Sequence, residues 1–316
     1  MQRVKNIVAA LPSAEVIDVE GLRNAILSGS IDLICVLGPT ASGKTRYAVK
    51  LARELGLEGP GTHGATLTPE EGGDPLAGRV APGSLGPSGA IRCEIISADS
   101  RQVYRGMDIG TGKDLCEYGE IPYHLIDIAE PGTQYNVYRF QQDFARAMAD
   151  IRSRGAFPLL CGGTGLYISA VTCSYDFLTK KPLSSPVTTY PSAADLDLYE
   201  TEGEPSALGT ALRTYFIGTL VSREVRNARI DARLDARLKE GMIDEIRGLL
   251  ERGVPDQTLI SYGLEYKFVT LYLLGQMDYS TMRERLAIAI HQFAKRQMTW
   301  FRGMERSGIC IHWTEV

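Results

Sequence analysis

The run Gly38-Pro39-Thr40-Ala41-Ser42-Gly43-Lys44-Thr45 has the spacing G-x-x-x-x-G-K-[ST]. Glycines at these places let successive backbone N–H groups turn inward onto phosphate oxygens, and a following helix adds the positive end of its dipole. Lys44 supplies a point charge, and Thr45 is placed to hold a magnesium ion bridging the phosphates. The ligand implied carries at least two linked phosphates. On its own the motif fits an ATP-dependent kinase or a GTPase, both of which need a second acidic residue at the end of another strand. Asp99 meets that description, although an aspartate there also serves as a helix or turn cap. Its neighbours Ser100, Arg101, Gln102 and Tyr104 crowd one loop with hydrogen-bonding and stacking groups, as a loop reading a polar substrate would.

These residues need a scaffold, and the hydrophobic pattern supplies an α/β one. Residues 31–37 form a short β-branched apolar run ending at Gly38-Pro39, which predicts a buried strand, and a helix follows from about Lys44 to Leu55. Further strands are expected at 93–98, at 124–128 and at 157–161, the last stopped by Gly162-Gly163. Between the last two, residues 138–154 place Phe140, Phe144, Ala147, Met148 and Ile151 on one helical face. Strands alternating with helices imply a parallel sheet. Residues 57–91 are rich in glycine and proline and poor in apolar content, and read as a disordered insertion. From 174 to 213 the pattern fades into a linker. Residues 214–221 then read as a last core strand. Ser222 is expected to cap one long helix with Val225, Ile230, Leu234, Leu238, Met242, Ile246 and Leu249 on its apolar face, ended by Gly253 and Pro255. Helices at about 264–274 and 280–302 complete a helical C-terminal part, and residues 1–30 read as an N-terminal extension.

Composition narrows the class. The 316 residues carry 34 basic and 38 acidic side chains, a net charge of −4, which argues against a uniformly basic nucleic-acid binder while allowing local patches. Six cysteines and four histidines are scattered without zinc-ligand spacing. No stretch approaches the ~20 apolar residues that span a bilayer. The first residues lack the pattern of a signal or transit peptide. A reduced, cytoplasmic protein is expected, as a monomer.

The run Ile95-Ile96-Ser97-Ala98-Asp99-Ser100-Arg101-Gln102-Val103-Tyr104-Arg105-Gly106-Met107-Asp108-Ile109-Gly110-Thr111-Gly112-Lys113 resembles a signature of the tRNA dimethylallyltransferase (tRNA isopentenyltransferase) family of bacterial type. The P-loop, the run Pro122-Tyr123-His124-Leu125-Ile126-Asp127, the turn Gly162-Gly163-Thr164-Gly165-Leu166-Tyr167 and the stretch 291–302 look like that family too. The resemblance covers residues 31–56, 93–170 and about 214–316. It implies a P-loop NTPase-like parallel sheet flanked by helices. It also implies transfer of a dimethylallyl group from dimethylallyl diphosphate to the exocyclic amine of an adenine beside the tRNA anticodon, with Mg2+ as cofactor. In that chemistry Gly38 to Thr45 grip a leaving diphosphate, with Lys44 stabilising the departing anion. By matching motif positions, Asp99 is the expected base for the attacking amine and Arg223 the expected clamp on the diphosphate. Ser100, Arg101, Gln102 and Thr164 are the expected contacts to tRNA, whose target base must be flipped out to be reached.

Residues 283–306 hold Arg283, Arg285, Lys295, Arg296, Arg302 and Arg306 against Glu284 and Glu305, an excess that suits a phosphate backbone but equally a solvated helix face. Phe293, Trp300 and Phe301 read as core. Two features depart from the family: the insertion at 57–91, and a shortened segment at 174–213 where members carry a longer, anticodon-contacting insertion. The second leaves open an adenylate isopentenyltransferase acting on free AMP or ADP. A P-loop small-molecule kinase and an RNA-binding remnant without turnover remain further alternatives.

Overall fold

The computed structural model describes residues 11–56, 90–173 and 212–316, with the backbone of two short strands at 175–176 and 181–182. Most of the insertion expected at 57–91 lies outside the described residues. Its last residue, Ile91, is 5% exposed and belongs to the core.

The central sheet is parallel and six-stranded: β1 Leu33–Leu37, β2 Cys93–Ser97, β3 Tyr123–His124, β4 Phe157–Gly162, β7 Thr214–Leu220 and β8 Ile311–Glu315, in the order β3-β2-β4-β1-β7-β8. The strand at 124–128 is cut to two residues, because Leu125 and Asp127 take left-handed backbone angles (φ 62° and 55°) that leave the pleat. β5 Tyr175–Asp176 and β6 Lys181–Pro182 pair antiparallel apart from the sheet; the rest of the linker expected at 174–213, up to residue 211, lies outside the described residues.

Helices cover both faces of the sheet, as two buried clusters on its two sides require. On one side lies α2 (Lys44–Gly56), and α1 (Val19–Leu27) packs on it. The N-terminal extension thus contributes Ile17, Leu22 and Ile26 to the core. On the other side are α3 (Val137–Ser153) and α4 (Gly165–Thr172). The C-terminal part is helical: α5 (Arg223–Glu240), α6 (Met242–Glu251), α7 (Asp256–Ser261), α8 (Leu264–Leu273) and α9 (Tyr279–Arg306).

The single helix expected after Ser222 is two. Gly241, at φ 106°, ends α5 and opens α6, although the apolar spacing runs on in phase across it. The buried face is also displaced: Val225 is 45% exposed, while Arg226 joins Ile230 and Leu234 among the buried residues of α5. No described helix is long and apolar enough to cross a membrane.

Candidate active site

The C-terminal edge of a parallel sheet is where open α/β folds bind ligands, and β1, β2 and β4 all deliver their loops there. β1 ends in the P-loop, where Ala41 (φ 60°) and Gly43 (φ 83°) take left-handed angles that coil the chain before α2. Ser42 is buried and shares a 2.7 Å hydrogen bond with Thr219 of β7. The Thr40 amide donates to Gln297 Oε1 of α9 at 2.8 Å, and Gln297 Nε2 donates to the Gly163 carbonyl at 2.9 Å. One glutamine from the far end of the chain therefore ties the P-loop to the turn after β4. That turn presses on the loop after β2: a Cβ on Gly162 would lie 2.4 Å from the Ala98 carbonyl oxygen.

A cavity of about 490 Å³ opens above these loops. Thr40, Ala41, Gly43, Lys44 and Thr45 line it, and so do Asp99, Arg101 and Gln102. Burial pulls the Lys44 ammonium below its ordinary value, against the opposing influence of Cys161 and Asp99. Burial also pushes the Cys161 thiol up to about 11, so no thiolate competes there at neutral pH. Gly38, Pro39 and Ser42 shape the loop from behind the lining.

Asp99 Oδ1 accepts from the Arg101 amide at 3.0 Å, a local turn that fixes the carboxylate at the end of β2. Arg101 also bonds Glu265 of α8 and lies 5.9 Å from the Phe293 ring centroid, with Arg296 5.8 Å away. Phe293 is thus a half-buried platform between two guanidiniums, where sequence placed it in the core; Phe301 is core as expected. Behind Asp99 lies a second cavity of about 130 Å³. Ser100, Arg101 and Thr164 line it, with the rings of Tyr104, Tyr135, Tyr167 and Tyr262. Thr164 Oγ1 accepts from the Ser100 amide at 3.2 Å, joining the two loops. Arg101 borders both cavities, so the Asp99–Arg101 loop is the partition between them.

Arg223 lines neither cavity; it is exposed at the first turn of α5. Three arginines later on the same helix do face the larger cavity, Arg229, Arg233 and Arg237, alongside Arg46 and Arg101. Arg233 Nη2 donates to the Gly112 carbonyl at 3.1 Å and to Asp114 Oδ2 at 3.0 Å, and Arg237 bonds the other oxygen of Asp114. Gly112 takes φ 67°, an angle that strains any residue with a side chain, and a Cβ there would also push against Arg233 Nη2, 2.1 Å away. The loop bearing Gly112 is itself anchored by Glu245 of α6, which accepts from the amides of Asp108, Ile109 and Gly110 at 2.7, 2.7 and 3.0 Å. Lys113, buried, bonds Asp108, Asp127 and the Tyr104 carbonyl. The spacing of Arg226, Arg229, Arg233 and Arg237 along one helical stripe was the only sequence signal for Arg229 and Arg233, and nothing in it said which turn faces the P-loop.

Fold and site define a P-loop α/β protein whose P-loop shares one cavity with the Asp99 carboxylate. The chain belongs to the IPP transferase family, whose model matches residues 102–196 and 189–304. It is 42% identical to tRNA dimethylallyltransferase 1 of Parabacteroides distasonis over 91% of this chain and 93% of that protein. It is 44% identical to tRNA dimethylallyltransferase 1 of Azobacteroides pseudotrichonymphae, over 90% and 93% respectively. Among solved structures, the tRNA isopentenylpyrophosphate transferase of Bacillus halodurans superposes with a TM-score of 0.64 at 27% identity, covering 90% of this chain and 89% of that one. The corresponding Staphylococcus epidermidis transferase gives 0.63 at 28% identity, with 90% and 92% covered.

Proposed function

We propose that this chain transfers a dimethylallyl group from dimethylallyl diphosphate to the exocyclic amine of an adenine next to a tRNA anticodon, releasing diphosphate. The observation that carries this reading is the position of Asp99. Its carboxylate opens onto the P-loop cavity, while its loop neighbours Ser100 and Arg101 open onto the smaller aromatic one. A base in that partition meets a donor from one side and an acceptor from the other.

In the reaction the amine nitrogen attacks the allylic carbon as the carbon–oxygen bond to diphosphate breaks. The bonding electrons leave with the diphosphate, and the amine proton passes to Asp99. An adenine amine is a weak nucleophile, so the carboxylate contributes as that proton turns acidic. The P-loop amides, Lys44 and Arg233 stabilise the charge developing on the leaving group. On this reading Arg233 and Arg229 take the clamping role that motif matching gave to Arg223. Ser100, Arg101, Gln102 and Thr164 offer polar edges to the acceptor, and Tyr104 and Tyr262, packed on each other at 4.3 Å, wall the smaller cavity.

Thr45 fits a magnesium ion: its hydroxyl is a hard oxygen donor on the cavity wall, and Mg2+ takes its remaining ligands from substrate oxygens and water. When bound, the ion neutralises charge on the departing diphosphate.

The test is to supply labelled dimethylallyl diphosphate and magnesium with unmodified tRNA, AMP or ADP in parallel. Label is expected in tRNA. Label in AMP or ADP alone moves the acceptor to a free nucleotide, and label in none of them refutes prenyl transfer.

A further inference from the structure

Arg226 is 8% exposed, and its Nε has no hydrogen-bond partner among the described residues. A buried N–H of a charged guanidinium left without a partner is costly, more so than the apolar side chain its place on the inner face of α5 calls for. Val225 stands beside it, exposed and suited to the exchange by a one-residue turn of the face. The fold instead keeps the cation inside.

Side chains on a helix lean toward its N-terminus, and the charged groups acting on Arg226 are Arg223 and Glu224 of the first turn. That turn is the positive end of an 18-residue helix. It sits on the same rim as the P-loop, since Val316 bonds the Leu220 carbonyl and its side chain lies against Gly43. Neither Arg223 nor Arg226 lines the donor cavity.

We propose that the first turn of α5, with Arg226 inside and Arg223 outside, is a second anion site that takes a single phosphate group, separate from the diphosphate grip. Its ligand is a backbone phosphate of the RNA acceptor or free inorganic phosphate. An exposed arginine beside a buried one favours the backbone phosphate, which lies on the surface and is held from one side. Glu224 opposes the anion, so Glu224→Gln is expected to tighten it. The RNA source rests on the acceptor proposed above; the phosphate site does not.

The experiment uses the full chain and two binding readouts that need no turnover. With the P-loop disabled by Lys44→Ala, inorganic phosphate is expected to raise the melting temperature, and adding Arg226→Leu to abolish that rise. In anisotropy titrations of an anticodon stem-loop, Arg226→Leu and Arg223→Ala are each expected to lower the slope of log affinity against log salt by about 0.7–0.9. The donor KM should stay unchanged. Because Arg226→Leu removes a buried N–H that has no partner, it is expected to melt no lower than the parent protein without phosphate.

A phosphate response with an unchanged RNA slope assigns the site to the free anion. Loss of neither response overturns the proposal. So does a raised donor KM with an unchanged slope, which would place Arg226 in the donor grip, or a sharp fall in melting temperature for Arg226→Leu, which would mean the fold satisfies the guanidinium itself. Failure of prenyl transfer would leave the phosphate readout standing.

Discussion

Arg233 Nη2 lies 3.0 Å from Asp114 Oδ2, and this pair holds a guanidinium over the cavity that the P-loop lines. Replacing Arg233 with alanine removes the cation proposed to face the leaving group, and is expected to lower kcat by about 100-fold. Lysine should not restore it, because a point charge cannot bond an oxygen pair through a planar fork. Steady-state kinetics of both variants against Arg223→Ala check the assignment. If Arg223→Ala loses kcat as severely as Arg233→Ala, the clamp is wrongly placed.

Asp99 is fixed by the Arg101 amide and stands at the wall of the cavity that the P-loop lines. Asp99→Ala is expected to slow transfer by about 100- to 10,000-fold, the usual worth of a positioned base. The inhibition constant of diphosphate should change little. Near-normal turnover in Asp99→Ala would remove it from the mechanism.

Gln297 spans two loops, receiving the Thr40 amide and donating to the Gly163 carbonyl. Gln297→Leu keeps the volume but strands both backbone groups in a buried place, and should cost about 1–3 kcal/mol of stability. Because one of the groups belongs to the P-loop, the donor KM is expected to rise as well. Urea unfolding and donor kinetics on the same variant give the two readouts; a stability loss with an unchanged KM would make Gln297 a brace for the fold alone.

The contrast between Asp99 and Gln297 explains what was legible in the sequence. The P-loop and the Asp99 loop are local: spacing of a few residues after an apolar strand suffices to read them. Gln297 acts on Thr40 across 257 positions, and no local pattern marks it. Helix α5 carries Arg223, Arg226, Arg229, Arg233 and Arg237, and its rotation, set by packing on α9, decides which of them face the cavity. Gly241 was hidden for a related reason, since the apolar repeat continues across it and only its left-handed backbone breaks the helix. Strand β8 gave little signal because five residues at a sheet edge take their order from β7.

Lys44 provides a pH test. Burial lowers its pKa from the ordinary 10.5, so the unfolded chain holds the proton over a range where the folded one has lost it. Stability should therefore rise with pH across that window, whereas affinity for diphosphate should fall as the cation is lost. Diphosphate inhibition measured up to alkaline pH checks this, with Lys44→Arg as the variant that stays charged. The same decline in Lys44→Arg would assign it to another group.

Away from the site, Glu94 on β2 is 4% exposed and bonds His124 Nε2 and an Arg154 guanidinium nitrogen, each at 2.7 Å. Burial pushes its carboxyl up, but those bonds prevail and hold its pKa below the ordinary 4.5. The stabilisation is complete above that ordinary value and is lost as pH falls through the lowered one. Arg154 is partly exposed, which reduces the effect, and Glu94→Gln is expected to cost about 1–3 kcal/mol at neutral pH. The difference between parent and variant should shrink on acidification, because protonation makes Glu94 resemble glutamine. Thermal melts at neutral and acid pH measure it; a gap that does not shrink as pH falls below the ordinary carboxylate range would mean that Glu94 acts through packing instead of charge.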